Sequence, residues 1–377
     1  MTILALGLLA LVPAPQGTAA QQGQSGQGGG IMDRLTFDAE GRMRGEATWD
    51  NVDATTGNKI DDRYRGRFRF RFGAKYALMD DVTLVGRLST SSDGNDANNP
   101  HWDFGDGPDG FDGSNIVMDR YYLDWAADKE AHVVVGKQPN AFNAPPIFGE
   151  FLWDNDISPA GVSASWKPTT GDGPSFDARV AGYVATEVAA NEDPKMLGGQ
   201  ANVYVPIDDG KLQLSTALYD WGDNQATAVA GNQGNSSTTA NFQIWETFVS
   251  GTIQGGPMEE MTGYLQFMDN LDDSDKGWVV GGQLGPSAWK KGNYNVFALF
   301  YQLDGDAVFS PVAQDDTPVA GTGLNDGDGD GMDGIVLGGQ YFLRDNVGVK
   351  LWVLTSNASG ADDDPFRLRI DFDFRLK

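Results

Sequence analysis

Residues 63–78 read Arg-Tyr-Arg-Gly-Arg-Phe-Arg-Phe-Arg-Phe-Gly-Ala-Lys-Tyr-Ala-Leu. Taken alternately, the stretch separates into Tyr64, Gly66, Phe68, Phe70, Phe72, Ala74, Tyr76 and Leu78 on one side and Arg63, Arg65, Arg67, Arg69, Arg71, Gly73 and Lys75 on the other. A period of two is that of a β-strand, whose successive side chains leave opposite faces. Five guanidinium groups at consecutive same-face positions repel one another, so that face demands water or carboxylates. It cannot face hydrocarbon, where a mid-depth arginine costs roughly 2–4 kcal/mol. The opposite face, aromatic or small throughout, demands an apolar neighbour.

The same division holds on either side of this stretch in sequence. In residues 35–49, Leu35, Phe37, Ala39, Gly41, Met43, Gly45, Ala47 and Trp49 alternate with Thr36, Asp38, Glu40, Arg42, Arg44, Glu46 and Thr48. At the C-terminus Phe366, Leu368, Ile370, Phe372, Phe374 and Leu376 alternate with Arg367, Arg369, Asp371, Asp373, Arg375 and Lys377. Strands of soluble proteins average about 5–6 residues, and these runs are more than twice that. A strand crossing a bilayer at a tilt needs ~9–11 residues and can continue beyond it. Less regular alternations near 82–90, 116–126, 131–138, 160–167, 175–187, 197–206, 211–221, 241–254, 260–269, 277–285, 292–303, 334–343 and 347–355 bring the count to sixteen. Long and short connections alternate between them, as external loops and periplasmic turns do. Trp49, Tyr64, Tyr76, Trp125 and Trp166 share the apolar parity near strand ends, where an interfacial girdle belongs. The pattern predicts an all-β fold, a transmembrane antiparallel up-and-down β-barrel of about sixteen strands.

Composition narrows the function. The chain has 377 residues, a net charge of −26, no cysteine and two histidines. The acidic excess argues against a nucleic-acid partner. The missing cysteines remove disulfide scaffolds, thiolate metal sites and cysteine nucleophiles. His101 falls in an acidic loop and His132 at a strand start, neither set for hydrolytic chemistry, so no enzyme is expected. The apolar run Ile3–Val12 is too short for a membrane helix, which needs ~20 residues. Followed by Thr18-Ala-Ala20, it reads as a signal peptide over 1–20. A flexible Gly/Gln-rich segment follows over 21–33, and the outer-membrane barrel is expected over 34–377.

The negative charge gathers in the long connections: residues 93–112 carry six Asp and 304–333 eight, neither with a Lys or Arg. The polar parity of the strands is instead rich in arginine. Arg42, Arg44, Arg63, Arg65, Arg67, Arg69, Arg71, Arg87, Arg120, Arg179, Arg367 and Arg369 are expected to line a wet lumen, where such rows attract anions. The third external connection, 139–159, carries four prolines and many apolar residues, odd for a solvated loop. It is expected to fold into the barrel and set Glu150, Asp154 and Asp156 across the opening from the arginines. The alternative is a loop packed over the rim or in a subunit interface.

Asn325-Asp-Gly-Asp-Gly-Asp-Gly-Met-Asp-Gly334 places Asp326, Asp328, Asp330 and Gly331 at positions 1, 3, 5 and 6 of an EF-type calcium loop. Leu337 stands where the bidentate Glu belongs, so Ca2+ held by Asp326, Asp328, Asp330 and Asp333 competes with a plain solvated acidic loop.

The runs Arg67–Gly73, Asp119-Arg-Tyr-Tyr-Leu-Asp124, Val135-Gly-Lys-Gln-Pro-Asn140 and Leu152-Trp-Asp-Asn-Asp-Ile157 resemble the putative-porin family of Gram-negative outer-membrane proteins. The resemblance extends over residues 34–377. It implies a passive water-filled channel in outer-membrane lipid for small hydrophilic solutes and ions, working as a homotrimer. One departure is the ending Phe374-Arg-Leu-Lys377, where outer-membrane barrels commonly close on an aromatic residue. Two alternatives stay open: a secreted calcium-dependent adhesin or carbohydrate-binding β protein, and a narrower anion- or phosphate-specific channel.

Overall fold

The computed structural model describes residues 30–54, 56–91, 101–104, 115–171, 173–184, 195–222, 235, 242–255, 258–319, 321–324 and 331–376. Sixteen long strands form one closed antiparallel sheet. They are β1 (Leu35–Trp49), β2 (Arg63–Ala77), β3 (Val82–Ser91), β4 (Asn115–Ala126), β5 (Ala131–Lys137), β6 (Ala160–Trp166), β7 (Ser175–Val184) and β8 (Lys195–Ile207), followed by β9 (Gly210–Trp221), β10 (Phe242–Gln254), β11 (Glu260–Asn270), β12 (Lys276–Leu284), β13 (Tyr294–Leu303), β14 (Met332–Arg344), β15 (Val347–Thr355) and β16 (Phe366–Leu376). Each neighbours the next in sequence, and β1 also pairs with β16, with Arg44 opposite both Arg67 and Asp371. Closure leaves no unpaired edge, the condition for a sheet to span a membrane. Two short pieces extend the ladders: Trp102–Asp103 beside β2, and Asn357–Ala358 beside β14. A single 3₁₀ turn, Ile31–Arg34, precedes β1 at the end of the expected spacer.

The parity read from the sequence is the parity of the barrel. Met43, Tyr64, Phe70, Leu265, Leu351 and Ile370 are exposed on the outside, while Arg44, Arg67, Arg71 and Arg369 are buried inside. The exposed apolar band meets acyl chains. At its external end Trp49 stacks on Phe366 with centroids 4.9 Å apart and meets Tyr64 edge-on at 6.1 Å. At the periplasmic end Trp166 and Phe176 make a similar pair at 5.8 Å.

Among the described residues, two long segments turn inward. The connection 139–159 crosses the interior, burying Phe142, Ile147, Phe151, Leu152, Trp153 and Ile157. Its aromatic rings meet inward-facing rings of the wall: Phe142 on Tyr219 at 4.9 Å, Phe151 on Tyr301 at 4.7 Å and Trp153 on Trp221 at 5.3 Å. The strands flanking it are bent by glycines that are register partners, Gly136 (φ +130°) and Gly161 (φ +157°). A Cβ at Gly136 would stand 2.4 Å from the Tyr121 carbonyl oxygen, and one at Gly161 2.1 Å from that of Gly182. Only glycine allows this backbone at both ends of the inward loop.

The second segment corrects an expectation. Residues 304–319 do not form a solvated external loop: Asp306, Ala307, Val308, Phe309, Gln314 and Thr317 are all buried. Phe309 packs on Trp221 at 4.4 Å and Phe242 at 5.4 Å. The two inward segments are joined where the Asp154 N–H donates to the Val312 carbonyl at 2.8 Å. The interior therefore has two halves. An aromatic-rich half lies against β7–β15, and a charged half lies against β16 and β1–β4.

Candidate functional site

The charged half is a lattice set by strand register. Crossing from β16 through β1 to β2, the inward rows read Asp373–Arg42–Arg69, Asp371–Arg44–Arg67, Arg369–Glu46–Arg65 and Arg367–Thr48–Arg63. Five arginines in a row on β2 would repel, yet their neighbours on β1 and β16 interleave carboxylates. The Arg42 Nε donates to Asp373 at 2.7 Å, and Arg44 holds Asp371 through Nε at 2.7 Å and Nη2 at 3.0 Å. Glu46 takes Arg369 Nε at 2.5 Å and is also bonded by Arg65.

Where the lattice sets arginine against arginine, a loop supplies the missing carboxylate. Asp103, carried back by the short piece beside β2, accepts from Arg67 Nε at 2.6 Å and Arg65 Nη1 at 3.2 Å. Asp156 of the first inward loop accepts from Arg69 Nη1 at 2.8 Å and Arg71 Nη2 at 2.9 Å. Asp316 of the second pairs with Arg369 and lies 3.5 Å from Arg44. The demand for water or carboxylates is thus met largely by carboxylates. Removing one partner from such a pair costs about 3–5 kcal/mol, because the other charge stays buried.

The three loop acids expected across the opening part company. Asp156 sits directly on the arginines, which hold its carboxyl well below the usual carboxylate range despite burial. Glu150 and Asp154 lie away from them. Burial, then the charges of Asp316 and Asp156, pushes Glu150 up to about 8. Burial and the nearby Asp315, Glu150, Asp156 and Asp316 push Asp154 well up. Asp315 is raised to about 6 by burial and Asp316. Carboxyls with raised proton affinity thus gather between the two inward segments, while Asp156 and Asp316 clamp the arginines.

Of the other arginines, Arg87 holds Asp119 with Nε at 3.0 Å. Arg179 is remote on β7, paired with Asp177 at 3.1 Å and donating to the Ala141 carbonyl at 2.8 Å. Arg63 stands at the external rim, 3.7 Å from Asp103. Arg367 bonds Thr48 and the carbonyls of Asp316 and Thr317. Arg120 bonds Ser158 Oγ at 3.0 Å.

Sequence reasoning passed over two residues. Trp352 is the post between the two halves: Lys350 Nζ lies 3.6 Å from its ring centroid, Arg369 and Arg44 at 5.1 and 5.3 Å, and Phe148 edge-on at 5.8 Å. Its signal was its place on the inward parity of β15, one step from Lys350. His101, read as incidental, is buried against Arg44, Arg69, Arg67 and Arg42; burial and their charge drive its pKa well below the usual value and keep the ring neutral. His132 bonds Asp124 at 3.0 Å near the periplasmic rim.

Asp326, Asp328 and Asp330 lie outside the described residues, and Asp333 stands in β14 opposite Gln302 and Asn357. Among the described residues, the one set of carboxylates close enough to share a cation is Asp273, Asp275 and Asp306, with oxygens within 4.8 Å of one another.

Several solved structures share the architecture. A high-pH structure of Pseudomonas putida OprB matches with a TM-score of 0.57 at 10% identity, covering 92% of this chain and 95% of that one. A five-site mutant of Rh. blastica porin matches at 0.48 with 14% identity, over 90% of this chain and all of that one. The outer membrane channel DcaP of Acinetobacter baumannii also matches at 0.48, with 11% identity over 91% and 98% of the two chains. Among curated proteins, none matches the sequence. The family model described as "Putative porin" covers residues 16–250, well over half the chain, and with the closed barrel it makes this protein a member of the putative-porin family.

Proposed function

We propose that this outer-membrane barrel is a passive channel for small hydrophilic solutes and ions. Its aqueous path follows the charged wall of β16 and β1–β4, beside the two inward segments. The observation that supports this most directly is the division of each strand. Along β16 and β1–β4 charged side chains turn inward while the whole barrel turns apolar ones outward, an arrangement without use in a soluble β protein. The arginines of β16, β1 and β2 border the path, already engaged by carboxylates, so they act as a polarised wall more than as free anion traps. No catalytic step enters this reading. A homotrimer belongs to it, tested by the mass of the detergent-extracted protein. Calcium at Asp326, Asp328, Asp330 and Asp333 is a separate proposal, decided by calorimetric titration of Ca2+.

The test is purified protein in planar bilayers under a salt gradient, with liposome swelling in sugars of increasing size. Stepwise conductance and size-limited swelling are expected. A protein that extracts without detergent, or inserts without conductance, refutes the channel.

A further inference from the structure

The ladder between β3 and β4 steps once: Arg87 faces Arg120 while Leu88 faces Met118, leaving Asp119 without an opposite residue. This is a β-bulge, and bulges re-aim side chains. Asp119 is buried and clasped by Arg87, and Arg71 Nε comes within 3.8 Å of it. Arg120, the very next residue, is half-buried and left over.

Eleven of the twelve strand arginines named above have a carboxylate oxygen within the 4.0 Å of an ion pair. Arg120 has none among the described residues; its Nε donates to the Ser158 hydroxyl at 3.0 Å. Lys137 is in the same position. Strict alternation would pair it outward with Tyr121, but the left-handed Gly136 breaks the phase, and its ammonium donates to the Ser158 carbonyl at 2.7 Å. The charges around it are Asp119 and Arg120. Lys350, also without a carboxylate in range, instead rests on the faces of Trp352 and Phe297. Among the described residues, Arg120 and Lys137 have no such ring. Two half-buried cations thus converge on one serine where the inward loop rejoins the wall, and a charge so placed calls for a counter-ion.

We infer that Arg120, Lys137 and Ser158 form a binding subsite for a small oxyanion, a carboxylate or a phosphate, on the solute path. The guanidinium presents a planar fork of N–H groups suited to two oxygens of one anion. The ammonium adds a point charge, and the Ser158 hydroxyl, accepting from Arg120 Nε, is free to donate its own proton. The subsite rests on the channel reading for its role in transport, but not for its existence.

The experiment titrates inorganic phosphate, and separately succinate, against chloride current through single channels of the full-length protein. Block by either anion is expected, and the more effective one names the class. Arg120→Gln and Lys137→Gln should each weaken it about tenfold, the loss of one charged hydrogen bond, while Arg120→Lys retains part of it. Equal block in wild type and both variants, or no block by either anion, overturns the subsite. If the wild type fails to conduct, the channel reading falls, and calorimetry of phosphate and succinate on the folded protein in detergent decides the subsite alone. Saturable heat lost in either variant supports it, and no heat with either anion overturns it.

Discussion

Arg44 and Asp371 face one another across the seam where the first strand meets the last, joined by parallel hydrogen bonds, Nε to Oδ1 at 2.7 Å and Nη2 to Oδ2 at 3.0 Å. Both are buried, and 327 residues of chain separate them. The pair therefore bonds closure of the barrel directly. Asp371→Ala should lower stability by about 3–5 kcal/mol, since Arg44 is left charged and enclosed. The double change Arg44→Met with Asp371→Leu should recover most of that loss. Urea unfolding of the detergent-refolded barrel measures both; equal midpoints for wild type and Asp371→Ala refute the role of the seam.

Asp156 neutralises Arg69 and Arg71 from the inward loop. Asp156→Asn removes the charge at nearly constant volume and leaves two guanidiniums facing the path. Anion preference should rise by about two- to fivefold in permeability ratio, as expected for charge rings in pores. Reversal potentials under a potassium chloride gradient read it directly, and an unshifted potential refutes it.

The carboxyls between the inward segments make the interior sensitive to pH. Glu150 is held up at about 8 and Asp315 at about 6, chiefly by burial and the charge of Asp316, with Asp154 raised beside them and Lys350 facing Glu150. Carboxyls whose folded values are raised favour the folded loops while protonated. That stabilisation is complete below the free carboxyl value and is lost as pH climbs through the folded values. Protection of the backbone amides in 139–159 and 307–319, with the intrinsic rise of exchange with pH divided out, should therefore fall between about pH 6 and 8, with noisier current. Glu150→Gln should flatten the upper part of that fall. Protection factors that stay constant across this range contradict the assignment.

Phe151 is fully buried against Tyr301 and Phe148. Phe151→Ala should weaken the seating of the first inward loop by about 3–5 kcal/mol. Larger unitary conductance with an intact, heat-modifiable barrel is the expected result, and unchanged conductance speaks against the loop as the narrowing element.

The strands were legible because each carries its own evidence: alternation in 35–49, 63–78 and 366–377 needs no knowledge of the partner strand. The first inward loop was legible from its apolar residues and prolines. The ion pairs were not, because Asp103, Asp156 and Asp316 reach the arginines through loop paths that local pattern does not encode. The second inward segment was hidden by its acidic composition. Ala307-Val-Phe309 and Val312-Ala313 were the signal, outweighed by the aspartates around them. The bulge at Asp119 was invisible for a different reason. A one-residue slip is a property of two paired strands, and a single strand shows only an acid beside a base.

The two inserts seated on aromatic pegs separate girth from bore. The staves fix the outer circumference and the surface offered to lipid and to the assembly machinery. In the proposed channel, what a solute meets depends on the inward segments that Phe142, Phe151, Trp153 and Phe309 seat, and these buried rings do not touch that surface. Rewriting a few of these pegs would re-tool what the cell admits while the cask itself still inserts as before.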